Sequence, residues 1–320
     1  MEGLFLMTLA PSQAWAQVLL LALGIVVVIK AADCLTNGAV GLARRMGVPQ
    51  IVIGLTIVAI GTSMPEFFVS LMSAVNGTPD LAVGNIVGSN IFNSLSIVGV
   101  AAMVAPITIL RSTVRKDIPI ALFASVMLMG MTLDGNISRV DAALLFAFFV
   151  AFVWLTLRGA KGGGDDGARA ESAPVPVVRA VCLVVLGLLG LVVGSNVFVD
   201  NASALARSIG ISDAVIGLTI VACGTSLPEL ATSVVAARKG NSGIAIGNVL
   251  GSNVFNILMI LGITGLVQPM AISGITMVDL SVMVVSMVLL WLFSYTKYNI
   301  QRWEGTVLAA VFVGYMVWLL

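Results

Sequence analysis

Two glutamates stand where a charged side chain is costly. Glu66 and Glu229 close the motifs GTSMPE (61–66) and GTSLPE (224–229), each near the middle of an apolar stretch long enough to cross a bilayer. An ionised carboxylate at the bilayer centre costs about 3 kcal/mol or more. No Lys or Arg lies beside either glutamate in the sequence, so a bound cation, a proton or both must balance the charge. The proline in each motif removes a backbone donor and crowds the preceding turn. This predicts two half-helices joined at Gly-Thr-Ser, with carbonyls near Ala59 and Ala222 freed. Ser63 to Glu66 and Ser226 to Glu229 also fit an S-x-x-E capping box. That reading suits the residue types, but leaves two carboxylates in lipid without partners.

A second pair of motifs follows, GNIVGSNIFN (84–93) and GNVLGSNVFN (247–256). Ser89 and Asn93 are four apart, as are Ser252 and Asn256, so each pair shares a helix face, continued one turn earlier by Asn85 and Asn248. Asn85, Asn90, Asn248 and Asn253 also have a packing reading, because interhelical amide bonds hold membrane bundles together. With Thr62, Ser63, Thr225 and Ser226, these residues form a ligand set of oxygens alone. Ca²⁺ takes oxygen ligands in flexible geometry, Mg²⁺ dehydrates reluctantly, and transition metals prefer imidazole or thiolate. Ca²⁺ and Na⁺ are therefore the candidates, as transported ions rather than cofactors. Two glutamates neutralise one Ca²⁺, whereas three Na⁺ in the same cavity would leave one positive charge, making such an exchange electrogenic.

Composition supports the setting. Of 320 residues, 59% are hydrophobic and 10% charged, and the mean hydropathy is +1.10, which marks an integral membrane protein. Histidine is absent, which removes the commonest general base and the usual transition-metal ligand. The three cysteines, Cys34, Cys182 and Cys223, lie apart in apolar surroundings and read as packing residues. A net charge of +1 provides no general basic surface for nucleic acid, and no obligatory protein partner is expected beyond the lipid bilayer. Met1 to Ala14 lacks the basic start of a signal peptide, so the first span is expected to be retained.

The elements that must position the motifs are ten helical spans, near 15–33, 50–75, 80–103, 117–134 and 140–157, then 177–199, 213–237, 242–267, 275–294 and 304–320. The expected fold is all-α. A polar, Gly-rich linker, 158–176, separates a first half, 1–157, from a second, 177–320. Residues 54–99 align without a gap with 217–262 at an offset of 163, with 25 identities in 46 positions. Five spans separate equivalent points, so the second copy must enter the membrane with opposite polarity. Inverted repeats of this kind build secondary transporters whose sites lie near the midplane, at interrupted helices.

Orientation follows from the basic residues. With the N-terminus outside, cytoplasmic segments hold Arg44, Arg45, Arg111, Arg115, Lys116, Arg158, Lys161, Arg169, Arg179, Arg238, Lys239, Lys297 and Arg302, and outer segments only Arg139 and Arg207. Both termini are thus expected outside and the linker in the cytoplasm. Short loops and unpaired cysteines suit a prokaryotic inner membrane. Lys30 and Asp33 are expected to pair on one helix face, Asp117, Asp200 and Asp279 to lie near span ends, and Trp154, Trp291, Trp303 and Trp318 to form an interfacial belt.

These motifs resemble the two alpha repeats of the sodium/calcium exchanger family, within the calcium/cation antiporter superfamily. The resemblance covers nearly the whole chain. It implies that Glu66 and Glu229 are the central Ca²⁺ and Na⁺ ligands. Thr62, Ser63, Thr225, Ser226, Ser89 and Ser252 would add hydroxyl oxygens, and the carbonyls of Ala59 and Ala222 would complete outer Na⁺ positions. The first and sixth spans would slide across the rest to alternate access. Some relatives, including the potassium-dependent branch, carry Asp at the end of the second GSNxF motif, where this chain has Asn256. With Asn93 in the first copy, the site holds two acidic residues rather than three, which argues against K⁺ co-transport. A linker this short cannot hold a calcium-sensing module.

The leading expectation is Na⁺/Ca²⁺ antiport with Ca²⁺ extruded. Ca²⁺/H⁺ antiport at the same paired glutamates is the alternative, since protons can replace a cation on a buried carboxylate. A channel is disfavoured by the inverted repeat. An enzyme using Glu66 and Glu229 as an acid/base pair would lack a cofactor motif and a nucleophile with a base beside it.

Overall fold

The computed structural model describes residues 13–160, 176–210 and 222–319. Its helices are α1 (Ala14–Met46), α2 (Gln50–Thr62), α3 (Met64–Val75), α4 (Pro79–Val104), α5 (Thr113–Asp134) and α6 (Arg139–Ala160), then α7 (Val177–Ser208), α8 (Ala222–Thr225), α9 (Leu227–Arg238), α10 (Ser242–Val267), α11 (Met277–Tyr295) and α12 (Arg302–Leu319). Seven of these are each long and apolar enough to span a membrane, and α2 with α3 form an eighth span bent by 47°. The second broken span, described from Ala222 onward as α8 and α9, and α12 bring the number to ten. The protein is an all-α membrane protein. Most of the expected linker, and residues 211–221 at the start of the seventh span, lie outside the described residues.

The bundle turns its apolar side chains outward. Leu19, Leu23 and Val26 on α1, Phe123 and Val126 on α5, and Leu186, Leu189 and Val193 on α7 are exposed, whereas Thr36, Ser125 and Ser294 are buried. Those three hydroxyls donate to carbonyls one turn back, Ala32 at 2.7 Å, Ala121 at 3.1 Å and Leu290 at 2.6 Å. In lipid such groups must be satisfied within the protein.

Two helices outrun their expected spans. α1 continues past residue 33 to Met46, and α7 past 199 to Ser208. The polar residues that suggested an end to α1 are accommodated instead. Thr36 bonds back to its own helix, and Asp33 pairs with Lys239 at the end of α9 rather than with Lys30. α1 stops where Gly47 takes a left-handed conformation, φ 62°. Asp200 consequently lies within α7 rather than at a span end. Asp279 does sit at an end, capping α11 with Thr276. Trp291, near the end of α11, donates its indole N–H to the carbonyl of Val114 at the start of α5, at 2.9 Å.

α1 and α7 run antiparallel at close range. A Cβ at Gly187 would lie 2.6 Å from Leu35 N, at Gly190 2.8 Å from Ala31 Cβ, and at Gly194 2.9 Å from a Val28 methyl. Side chains there would hold the helices apart.

Short strands report the inversion independently. β1 (Ile107–Thr108) and β3 (Met270–Ala271) stand 163 residues apart, as do β2 (Asn136–Ile137) and β4 (Asn299–Ile300). The pairs cross between halves: β1 lies antiparallel to β4, with Ile107 opposite Ile300, and β2 to β3, with Ile137 opposite Met270. Equivalent strands thus belong to different pairs. This is the arrangement produced when one half is turned over relative to the other.

Candidate cation-binding site

Both GTSxPE motifs break their helices as proline requires. Ser63 (φ −85°, ψ 9°) separates α2 from α3, and Ser226 (φ −90°, ψ 8°) separates α8 from α9, with Pro65 and Pro228 in the first turn of the following helix. Neither serine caps its own helix. The capping-box reading therefore fails. Each hydroxyl crosses to the other repeat, Ser63 donating to Glu229 Oε1 at 2.8 Å and Ser226 to Glu66 Oε1 at 2.9 Å. Thr62 and Thr225 stand near the same two carboxylates, Glu229 and Glu66 respectively.

Both glutamates are 1% exposed, and no ion pair reaches either among the described residues. Ser89 Oγ lies 3.2 Å from Ser226 Oγ and is free to donate to it, and Ser252 Oγ approaches Glu229 Oε1 at 3.5 Å. The second motifs bring in Asn93 and Asn256, also 1% exposed. Both lie in π-helical turns, 92–97 and 255–260, where an α-helical face had been expected to continue. The wider turn adds one residue and re-aims the side chains beyond it.

Four oxygens then stand out: Glu66 Oε2, Glu229 Oε2, Asn93 Oδ1 and Asn256 Oδ1 are buried and accept no hydrogen bond among the described residues. Buried polar atoms are nearly always paired. Two carboxylate oxygens and two amide oxygens, related by the repeat, make a donor set suited to a hard cation and carrying two negative charges.

Of the expected carbonyl ligands, Ala59 is not freed by the helix break. Its oxygen accepts Ser63 N–H at 3.0 Å and Thr62 Oγ at 3.3 Å. Ala222 is the first described residue of α8.

A family profile described as sodium/calcium exchanger protein matches residues 16–158 and 179–320. The chain belongs to the sodium/calcium exchanger family. This exchanger is 37% identical over 312 residues to the inner membrane protein YrbG of Escherichia coli (strain K12), covering 94% of each chain. It is 33% identical over 339 residues to the sodium/calcium exchanger MaX1 of Methanosarcina acetivorans, covering 93% of this chain and 97% of that one. Among solved structures it matches the sodium-calcium exchanger NCX_Mj soaked with zero Na⁺ and Ca²⁺, with a TM-score of 0.85, 31% identity, and coverage of 96% of this chain and 100% of that one. The protein is accordingly a membrane antiporter and not an enzyme.

Other residues support the exchanger's site. Asn85 Nδ2 donates to Glu66 O at 3.3 Å and Ser70 Oγ at 3.0 Å, and Asn248 Nδ2 to Glu229 O at 3.2 Å and Ser233 Oγ at 3.0 Å. Asn248 Oδ1 also accepts from Thr62 Oγ at 3.1 Å. These amides bind the turn that carries each glutamate to the neighbouring span. Ser70 and Ser233 lie outside the two motifs, although they are identical across the repeat at the same offset of 163.

Proposed function

We propose that the protein exchanges Na⁺ for Ca²⁺ across the membrane by alternating access, electrogenically, without K⁺, and in the direction that extrudes Ca²⁺. The observation carrying this reading is the pair Glu66 and Glu229, buried without a cationic partner among the described residues and each with one oxygen unengaged, on helices packed against the π-helical turns that hold the unengaged amide oxygens of Asn256 and Asn93. Glu66, Glu229, Asn93 and Asn256 form the centre of the ion site. Thr62, Ser63, Ser89, Thr225, Ser226 and Ser252 contribute hydroxyl oxygens around it. The carbonyls of Ala59 and Ala222 complete the outer Na⁺ positions, Ala59 by exchanging its Thr62 contact for an ion.

Two carboxylates balance one Ca²⁺, and three Na⁺ at the same oxygens leave one positive charge. The amides at both 93 and 256 leave no third carboxylate for K⁺. The names of MaX1, a sodium/calcium exchanger, and of NCX_Mj support Na⁺ as the coupling ion, and that of YrbG supports an inner membrane. The halves 1–157 and 177–320 act as the two inverted units. The excess of basic residues puts the 158–176 linker in the cytoplasm and both termini outside.

The test is ⁴⁵Ca²⁺ uptake into proteoliposomes loaded with Na⁺ and diluted into Na⁺-free buffer, with a proton ionophore present and K⁺ replaced by choline. Uptake that requires the Na⁺ gradient is expected. Uptake driven by a pH gradient and indifferent to Na⁺ would instead establish Ca²⁺/H⁺ exchange at the same glutamates.

A further inference from the structure

Asparagine is an ambiguous cation ligand, because a half-turn of its amide exchanges an oxygen for an NH₂ group. Something must hold the oxygens of Asn93 and Asn256 toward the ion. Asn93 Nδ2 donates to Asn253 Oδ1 at 3.1 Å, and Asn256 Nδ2 donates to Asn90 Oδ1 at 3.2 Å. Each bond crosses from one repeat to the other and leaves the opposite side of the amide, its Oδ1, unengaged.

The polarity of these bonds is set further out, by thioether sulfurs and a backbone carbonyl that can only accept, and by Ser94, whose own proton goes to Met287 Sδ. Met287 Sδ takes Ser94 Oγ at 3.1 Å and Asn253 Nδ2 at 3.4 Å, and Asn253 Nδ2 also reaches Ser94 Oγ at 2.8 Å. With its NH₂ group engaged there, Asn253 must turn its oxygen to Asn93. On the other side Asn90 Nδ2 faces the backbone carbonyl of Asn253 at 3.4 Å, with Met283 Sδ at 4.0 Å, so Asn90 turns its oxygen to Asn256. Asn90 and Asn253 are 1% exposed and Ser94, Met283 and Met287 are 0% exposed, so water cannot compensate a reversed amide.

We propose that Asn90 and Asn253 are positioning residues that fix the amide orientation of Asn256 and Asn93 across the repeat boundary and so aim both oxygens at the transported ion. This rests on the reading of Asn93 and Asn256 as ligands.

The experiment measures ⁴⁵Ca²⁺ transport in proteoliposomes for Asn253→Leu in the wild-type and Asn93→Asp backgrounds, and for Asn93→Leu. A carboxylate at 93 presents an oxygen in either orientation and gains nothing from an acceptor at 253. Asn253→Leu is expected to raise the half-saturating Ca²⁺ concentration about five- to tenfold in the wild type, with the maximal rate changed less than about twofold, and to cause no rise in Asn93→Asp. An equal rise in both backgrounds would make Asn253 a general structural support and overturn the proposal. An unchanged half-saturating concentration in Asn93→Leu would instead overturn the ligand reading beneath it. Asn90→Leu with Asn256→Asp repeats the comparison in the mirror half. Should Asn253→Leu fail to fold, Met287→Leu, close in volume, carries the same comparison, with a rise of about threefold expected in the wild type alone.

Discussion

Gly88 and Gly251 are equivalent residues of the two repeats, and alanine should act on them in opposite ways. A Cβ at Gly251 would stand 2.6 Å from Ala59 Cβ and 2.7 Å from both Leu55 Cα and Leu55 O. Carbon atoms prefer roughly 3.5–4.0 Å, so α2 and α10 would have to part by about 1 Å. Gly88 is exposed, and a Cβ there meets nothing among the described residues within 4 Å. Overpacking by one methyl typically costs about 1–3 kcal/mol. Gly251→Ala should therefore disfavour this arrangement of the exchanger by a factor of about 5 to 150, while Gly88→Ala, whose Cβ meets nothing among the described residues, should disfavour it less. If alternating access exchanges the roles of the two halves, Gly88 is the crowded position in the opposite state, and Gly88→Ala disfavours that state. The assay is the half-saturating Ca²⁺ concentration on each membrane face, in proteoliposomes of uniform orientation. The ratio between faces should move in opposite directions for the two variants, because apparent affinity scales with the population of the competent state. Shifts of equal sign and size would refute the reasoning, as would a neutral Gly251→Ala.

Glu66→Gln and Glu229→Gln should each weaken Ca²⁺ exchange more than about 100-fold, since a unit charge 4 Å from a monovalent ion is worth about 4 kcal/mol in partly polar surroundings; ⁴⁵Ca²⁺ flux at saturating Na⁺ reads this. Asn248→Ala should lower stability by about 1–3 kcal/mol, because the Glu229 and Thr62 contacts lose a partner together, and Asn85→Ala should cost less, being only part-buried; thermal unfolding in detergent compares them. Lys239→Gln should change stability by less than about 1 kcal/mol, as the side chains of Lys239 and Asp33 are 30% and 45% exposed, and the small difference should shrink further in high salt.

The ten spans, both helix breaks and the acidic pair are legible from residue types, because membrane length, proline and an uncompensated carboxylate each leave a local mark. What escaped depends on partners far away in sequence. The ends of α1 and α7 lie beyond Asp33 and Asp200, residues that read as boundaries. Asp33 in fact pairs with Lys239, more than 200 positions on. Ser63 and Ser226 look like caps because the capping pattern is local, whereas their bonds cross between repeats. The π-helical turns at Asn93 and Asn256 add one residue per turn, which a period read from a single sequence cannot register. Met287 carries no polar signature, yet it fixes which way an amide faces.

The crossed strand pairs bear on how the chain is made. β1 and β2 leave the ribosome with the first five spans, but their partners lie at 299–300 and 270–271. The first half must therefore wait in the bilayer with both strands open, until the eighth span closes β2 against β3 and the ninth closes β1 against β4. Synthesis truncated before residue 270 would leave an unsealed half on each face, a natural substrate for membrane quality control. Split versions of the gene should yield exchange only where both fragments are inserted together.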